Sequence, residues 1–297
     1  MICYSPLKGW RARQPEDSGK YKVVFNPSQG YTDMPMTVPC GQCIGCRLKR
    51  SREWAIRCVH EASLHRDNCF ITLTYNSQNI PQDGSLNVKH WQDFMKRLRR
   101  RTGKKIRFFH AGEYGSKLGR PHYHACLFGY TFPDQYYWKT TDSGSKIYRS
   151  SLLESLWPFG YSSVGNLTFD SAAYVARYIM KKITGPAADD HYGDLKPEYT
   201  TMSRRPGIAS EWFKKFYSDV YPSDEVVYDN KRMKPPRYYD GLFEVLDPDE
   251  HERIKNERKK QARKNNSDNS SERLRVREKV KKSQTKALKR GLDNVDS

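Results

Sequence analysis

The sequence predicts an α+β domain in which one antiparallel sheet is covered by helices. Three observations carry that reading. Segments rich in β-branched and aromatic residues at about 21–25, 69–75, 106–113, 122–128 and 161–168 read as strands, with stretches of helical period between them. The strands at 106–113 and 122–128 flank a loop holding Gly115, Gly119 and Pro121, so they form a hairpin, and hairpin pairing is antiparallel. Finally, 297 residues are enough for one sizeable core with appendages, although length alone suggests about two domains. The expected layout is an N-terminal segment (1–66), a core (67–220), a connector (221–250) and a basic tail (251–297). No internal repeat is visible.

Residues 1–39 mix Pro, Gly and polar residues, with one alternating run at 21–25. Cys40-Gly-Gln-Cys43-Ile-Gly-Cys46 follows. Two overlapping C-x2-C units with small residues between them let the backbone wrap an ion, and such knuckles usually bind Zn²⁺. The fourth ligand is expected to be Cys3, an N-terminal cysteine pinned back onto the knuckle; Cys58 and His60 compete for the place. An iron–sulfur cluster is the alternative occupant, and three reduced structural cysteines are the plain reading. The seven cysteines are an odd number, which argues against a disulfide framework in a reducing compartment.

From Arg47 to about His65, Leu48, Trp54, Ala55, Cys58, Val59 and Ala62 recur at helical spacing. Cys69 to Tyr75 should be a central strand. Val88 to Arg101 reads as a helix that ends in KRLRRRTGKK, seven positive charges in ten residues. Such a run is most often a solvated helix end, but Arg97, Arg99, Arg100, Arg101, Lys104 and Lys105 also make a phosphate track, with Arg120 of the hairpin loop added. Residues 131–144 read as a polar, aromatic loop whose Tyr136, Tyr137 and Trp138 either stack on bases or cover the core. A short helix is expected at 148–157. Asp170 or Ser171 then caps a helix that runs to about Thr184, where Gly185-Pro186 stops it.

Beyond that, 186–209 reads as a long loop, 210–220 as a short aromatic helix and 222–250 as an acidic connector. The stretch 251–290 holds 16 Lys and Arg against five Asp and Glu with few apolar residues, so it reads as a disordered or solitary-helix arm. The whole chain carries a net charge of +19 and a pI near 9.6, the footprint of a nucleic-acid binder. Charge names the partner and not the activity. No apolar run reaches membrane-span length, the N-terminus lacks the order of a signal peptide, and no G-x4-G-K-[ST] phosphate loop occurs.

Two constellations carry chemistry. On a strand His122 and His124 point the same way and Tyr123 the other, and a hairpin brings Glu113 opposite or diagonal to His122. Two imidazoles and a carboxylate can then share one metal ion, although an H-x-H on a strand is more often a pair of half-buried polar residues. Tyr174 and Tyr178 stand at i and i+4 on one helix face, followed by Lys181 and Lys182. Each phenol can act as a nucleophile, while most tyrosines at helical spacing simply pack in the core.

Taken in order, PCGQCIGC, FITLTYN, AGEYGSKLGRPHYHACLFG and AAYVARYIMKK resemble the HUH endonucleases of rolling-circle replication in their two-tyrosine form. They most closely resemble the replication initiators of the microviruses, small single-stranded DNA phages, in their gokushovirus-like branch. The resemblance implies a five-stranded, RRM-like sheet with the hairpin strands central and the phenols overlooking the metal. It also implies Mg²⁺ or Mn²⁺ at Glu113, His122 and His124, and strand transfer by Tyr178 and Tyr174 assisted by Lys181 or Lys182. Single-stranded and supercoiled phage DNA, a host helicase and polymerase, and the host bacterial cytoplasm follow as partners and place. Two other classes stay open: an Fe(II) oxygenase with a 2-His-1-carboxylate set, and a non-catalytic single-strand-binding or packaging protein.

Overall fold

The structure, a computed structural model, describes residues 3–17, 19–115, 118–141, 143–178, 182–183, 187–264 and 266–287. It divides into two units, one from residues 1–49 and 259–288 and the other centred on residues 50–258. In the first, β1 (Leu7–Ala12) pairs antiparallel with β2 (Val23–Val24) and with β3 (Gly30–Val38). The strand predicted at 21–25 therefore exists as β2 but belongs to this small sheet and not to the main one. β3 is exposed along most of its length and contains Pro35, so it shows no alternation to read. α1 (Ile44–Ala62) leaves the cysteine segment as predicted.

The main sheet of the second unit has seven antiparallel strands, not the five implied. In chain order they are β4 (Asn68–Tyr75), β5 (Arg107–Tyr114), β6 (Pro121–Phe128), β7 (Tyr136–Thr140), β8 (Lys146–Arg149), β9 (Gly160–Gly165) and β10 (Tyr199–Met202), arranged β10-β5-β6-β4-β9-β8-β7. β4, β5, β6 and β9 stand where the sequence puts them, and β5 and β6 lie inside the sheet. The additional strands come from segments that read as loop or helix. β7 is solvent-exposed on both faces and β10 is four residues long, so neither carries a period-two signal.

Strict alternation divides the core in two. Phe70, Phe109, Ala111, Cys126 and Phe128 face one side; Ile71, Leu73, Tyr123, Ala125 and Leu127 face the other. α2 (Val88–Thr102) packs on the second side through Trp91, Phe94 and Leu98. Asn87 caps its start by accepting from the Lys89 N–H, and Gly103 ends it in the left-handed conformation, at φ 66°. α3 (Ser151–Leu156) joins it there. The first side is covered by α1 and by α4 (Phe169–Tyr178): Trp54 stacks on Phe109 at 4.6 Å, and Ser51 Oγ donates to the Ala173 carbonyl at 2.9 Å.

α5 (Ala187–Tyr192) and α6 (Ser210–Val220) follow, then the hairpin of β11 (Val226–Tyr228) and β12 (Lys231–Met233), and finally α7 (Arg237–Leu246), α8 (Pro248–Lys264) and α9 (Ser271–Ala287). Residues 222–250 are thus more than a connector, since Val226, Tyr239 and Phe243 are buried in the first-side core. Nor is the tail a disordered arm through residue 287. Its low mean hydropathy hides anchors: Ile254 and Leu274 are buried, and Arg258 donates to Asp240 at 2.8 and 2.9 Å and to Asp224 at 2.9 Å. Deleting the chain from His251 would remove those anchors along with the charge.

Arg258→Ala leaves two carboxylates without their shared cation and should cost about 1–2 kcal/mol, discounted for its partial exposure. Burial alone would raise the Asp224 carboxyl, but Arg258 and Lys234 hold it below the usual range. That stabilisation is full above the unfolded carboxylate pKa near ~4 and is lost as pH falls through the folded value. Denaturant melts should therefore separate variant from parent at pH 7 and converge in acid; equal midpoints at pH 7 would refute the assignment.

Candidate active site and cysteine centre

Strand register assembles the first site. Glu113 of β5 is the direct partner of His122 in β6, and on the other flank Thr74 and Thr72 of β4 are the partners of His122 and His124. All five side chains rise from one face of the sheet, and all are buried. Thr72 Oγ1 lies 3.0 Å from His124 Nδ1, and Thr74 Oγ1 lies 3.0 Å from His122 Nδ1. A hydroxyl can donate or accept, so it holds either tautomer. When Nδ1–H donates to the threonine, Nε2 presents a lone pair to an ion.

The remaining geometry suits such an ion. His124 Nε2 is 3.3 Å from Glu113 Oε1, and the two imidazole centroids are 6.3 Å apart. That span is within reach of two rings sharing one ion at roughly 2.1 Å per nitrogen. A Cβ at Gly115 would stand 2.5 Å from His122 Nε2, so glycine keeps that edge of the ring clear. Two imidazoles and a carboxylate fit a divalent cation. Thr72, Thr74 and Gly115 were not singled out as functional in the sequence, yet T-x-T has the same period as H-x-H one strand away.

α4 packs on this same face. Tyr174 is only 3% exposed; its ring stands edge-on to His124 at 5.1 Å and to Phe70 at 6.2 Å, with the Arg177 guanidinium 5.5 Å above it. The helix begins earlier than predicted. Thr168, not Asp170 or Ser171, supplies the cap: its hydroxyl accepts from the Ser171 N–H at 3.2 Å, and Ser171 Oγ accepts from the Thr168 N–H at 2.8 Å. Tyr178 closes the described helix one turn beyond Tyr174. Its side chain, Lys181 and the predicted run to Thr184 lie outside the described residues; Lys182 is exposed.

The basic run does not border this site. α2 lies on the opposite face of the sheet, and Arg107, just past the run, is six residues of β5 from Glu113, about 20 Å along the strand. Several of its cations are also engaged: Arg97 Nε donates to the Leu156 carbonyl at 3.1 Å and Arg99 Nη2 to the Ile106 carbonyl at 2.7 Å. Arg100, Arg101, Lys104 and Lys105 are exposed. Arg120 does stand near the site, but donates to the Tyr75 carbonyl at 2.9 Å and to Ser77 Oγ at 3.3 Å.

In the first unit Cys3, Cys40, Cys43 and Cys46 converge, with all four Sγ atoms within 4.8 Å of one another. Cys3 and Cys40 sulfurs are 3.6 Å apart, and Cys3 and Cys43 sulfurs 3.9 Å. Four thiolates at about 2.3 Å from a tetrahedral ion lie ~3.8 Å apart, whereas a disulfide would bring two to about 2 Å. An iron–sulfur cluster interposes several atoms and spreads its ligands further. Burial raises the Cys43 thiol, but N–H donation from Cys46 and Tyr4 brings it down to about 7, while burial pushes Cys46 up to about 12. One proton leaves readily and the next is held, a conflict that a bound dication removes. The competing ligands are elsewhere: Cys58 is buried in the core, and His60 Nδ1 is 2.8 Å from the Tyr239 hydroxyl. Among the described residues this is the one set of His, Cys, Asp or Glu groups drawn so close; the donor atoms of Glu113, His122 and His124 are not gathered to that degree.

Comparison with known proteins agrees with the microvirus resemblance. The family profile of the ORF2-type replication-associated proteins matches residues 68–183, which hold the paired histidines and the tyrosine helix. The chain is 32% identical over 259 residues to replication-associated protein VP4 of Bdellovibrio phage phiMH2K, covering 84% of this chain and 79% of that one. It is 33% identical over 286 residues to replication-associated protein ORF2 of Spiroplasma virus 4, covering 89% and 87%. Replication-associated protein ORF4 of Chlamydia phage 1 is 34% identical over 226 residues, covering 70% and 54%. No solved structure matches the chain.

Proposed function

Because the chain belongs to the family of phage replication-associated proteins, we propose that it initiates rolling-circle replication by nicking one strand of the phage origin through tyrosine transesterification. The observation that carries this reading is the packing of Tyr174 against His124, because it sets the tyrosine helix over the face that holds Glu113 and both histidines.

Mg²⁺ or Mn²⁺ held by Glu113, His122 and His124 would supply positive charge to the non-bridging oxygens of the scissile phosphate. Thr72 and Thr74 orient the imidazoles, and the sheet behind them excludes water. A free phenol has a pKa near 10, so under about one per cent is phenolate at neutral pH. In the reaction the Tyr178 oxygen bonds to phosphorus and gives up its proton. The P–O3′ bond breaks, and the departing oxygen gains a proton. The products are a 5′-phosphotyrosine and a free 3′-OH, with Lys181 or Lys182 neutralising charge that gathers on the phosphate. Retaining the bond energy in the phosphotyrosine allows rejoining. The 3′-OH can prime a host polymerase, assisted by a host helicase, in the bacterial cytoplasm.

Incubating the full chain with supercoiled origin DNA and Mn²⁺, then mapping the tyrosine-linked peptide, tests this. A covalent adduct at α4 supports it. DNA binding without nicking or adduct would instead favour a single-strand-binding or packaging protein. Among the described residues no helix is long and apolar enough to cross a membrane.

The cysteine centre is assigned structural Zn²⁺, on the observed sulfur separations. Purified protein should carry about one zinc per chain, and chelation should lower its melting temperature. Iron with visible absorbance, or protein that is equally stable and metal-free, would overturn the assignment.

A further inference from the structure

The edge strand β7 carries large aromatic side chains that cover nothing. Tyr136 is 50% exposed, Tyr137 57% and Trp138 43%. Aromatics on a sheet edge are a liability unless something binds them. Here cations accompany them: Lys139 Nζ stands 4.4 Å over the Trp138 ring, and the Arg149 guanidinium 5.7 Å over it.

Cross-strand register shows which face they share. Phe70 pairs with Gly165, Gly165 with Ile147, and Ile147 with Lys139, while Arg149 pairs with Tyr136. By alternation Ile147 and Arg149 rise from the face that holds Phe70, and so does Tyr136. Phe70 itself touches the Tyr174 ring and stacks near His124 at 6.0 Å. Between the tyrosine site and the edge lies a cleft of about 510 Å³, lined by Phe70, Ile147, Gly165, Asn166, Thr168 and Ser171 among others. From β6 to β7 there are four strand spacings, or ~19 Å.

We propose that single-stranded DNA leaving the tyrosine site crosses this cleft and stacks on Trp138 and Tyr136 at the β7 edge. The proposal rests on the replication reading but concerns binding and not strand transfer. Alternating flat rings and cations match bases and phosphates, and a chain of net charge +19 draws an anionic strand. A second copy of the chain pairing edge to edge is the poorer occupant. The register of β7 against β8 shifts between Tyr137 and Lys139, leaving Trp138 as a bulge that breaks the ladder another strand would need.

The test is binding of the full chain to fluorescent oligo(dT), which contains no origin, measured by anisotropy at fixed salt without divalent metal. Tyr136→Ala combined with Trp138→Ala should weaken binding by about 10-fold or more, and Trp138→Phe should restore part of it. Both positions are exposed, and equal melting temperatures check that the fold is intact. Oligo(dT) affinity within twofold of the parent in a folded double variant overturns the proposal. So does a change in sedimentation without a change in DNA affinity, which would mark the edge as a self-association surface. Because no cleavage is measured, absence of nicking by the parent would defeat the strand-transfer reading and leave this one standing.

Discussion

His124→Ala should lower divalent-dependent cleavage of origin DNA by about 10³-fold or more while leaving most of the DNA affinity intact. Affinity rests on the summed charge of +19, which this substitution does not touch. His124 is the sharper choice of the two histidines, because it meets Glu113, Thr72 and Tyr174 together. The alanine also removes a ring from the core, so Thr72→Val supplies the control. It keeps volume and strand propensity but removes the oxygen that holds Nδ1. It should therefore raise the Mn²⁺ concentration needed for half-maximal cleavage by roughly 10- to 100-fold, with little change at saturating metal. Undiminished cleavage by His124→Ala in the presence of a chelator would sink the metal assignment. A Thr72→Val enzyme with parental metal dependence would show that the hydroxyl only fills space.

The parts of this site legible in the sequence are those written in one local period. H-x-H on a strand, Y-x3-Y on a helix and C-x2-C-x2-C each announce their geometry within a few residues. Cys3 as the fourth thiol could be argued because a cysteine near a free end needs a reason, and its sulfur does lie 3.6 Å from that of Cys40. What the sequence hid are relations across strands. That Thr72 and Thr74 support the histidines depends on β4 pairing with β6 in one particular register, and no local pattern states a register. The basic run misleads for the opposite reason. Seven charges in ten residues are conspicuous in sequence, yet they ride a helix whose apolar stripe of Trp91, Phe94 and Leu98 binds it to the far face. The tail misleads through averaging: mean hydropathy gives no weight to one arginine that joins Asp224 to Asp240.

Tyr178→Phe should abolish the first nick and the covalent adduct, by ~10³-fold or more, whereas Tyr174→Phe should spare the first nick and impair release of monomer circles. The assignment starts from the Y-x2-K pattern that Tyr178 makes with Lys181, and the surroundings of Tyr174 support it. Its ring is 3% exposed and wedged between His124 and Phe70, so it serves the first, incoming strand poorly without a local opening. The second cut differs. After one round of synthesis the regenerated origin returns to the site while the first tyrosine is still bonded to the old 5′ end. The second phenol must then break the new P–O3′ bond. The 3′-OH so released attacks the first phosphotyrosine, closes the circle and returns the Tyr178 phenol. Spacing of i and i+4 on one helix makes that exchange feasible around one phosphate-binding point. Phe at 174 retains the edge-on contact with His124 and removes only the hydroxyl, so loss of circle release can be read as loss of a nucleophile and not of packing. Plasmid-based replication with both single variants and the double variant separates the steps, with adducts counted per chain and circles resolved by length. An adduct in the double variant would place the nucleophile elsewhere. Normal circle release by Tyr174→Phe would leave that ring as the wall of the histidine site and nothing more.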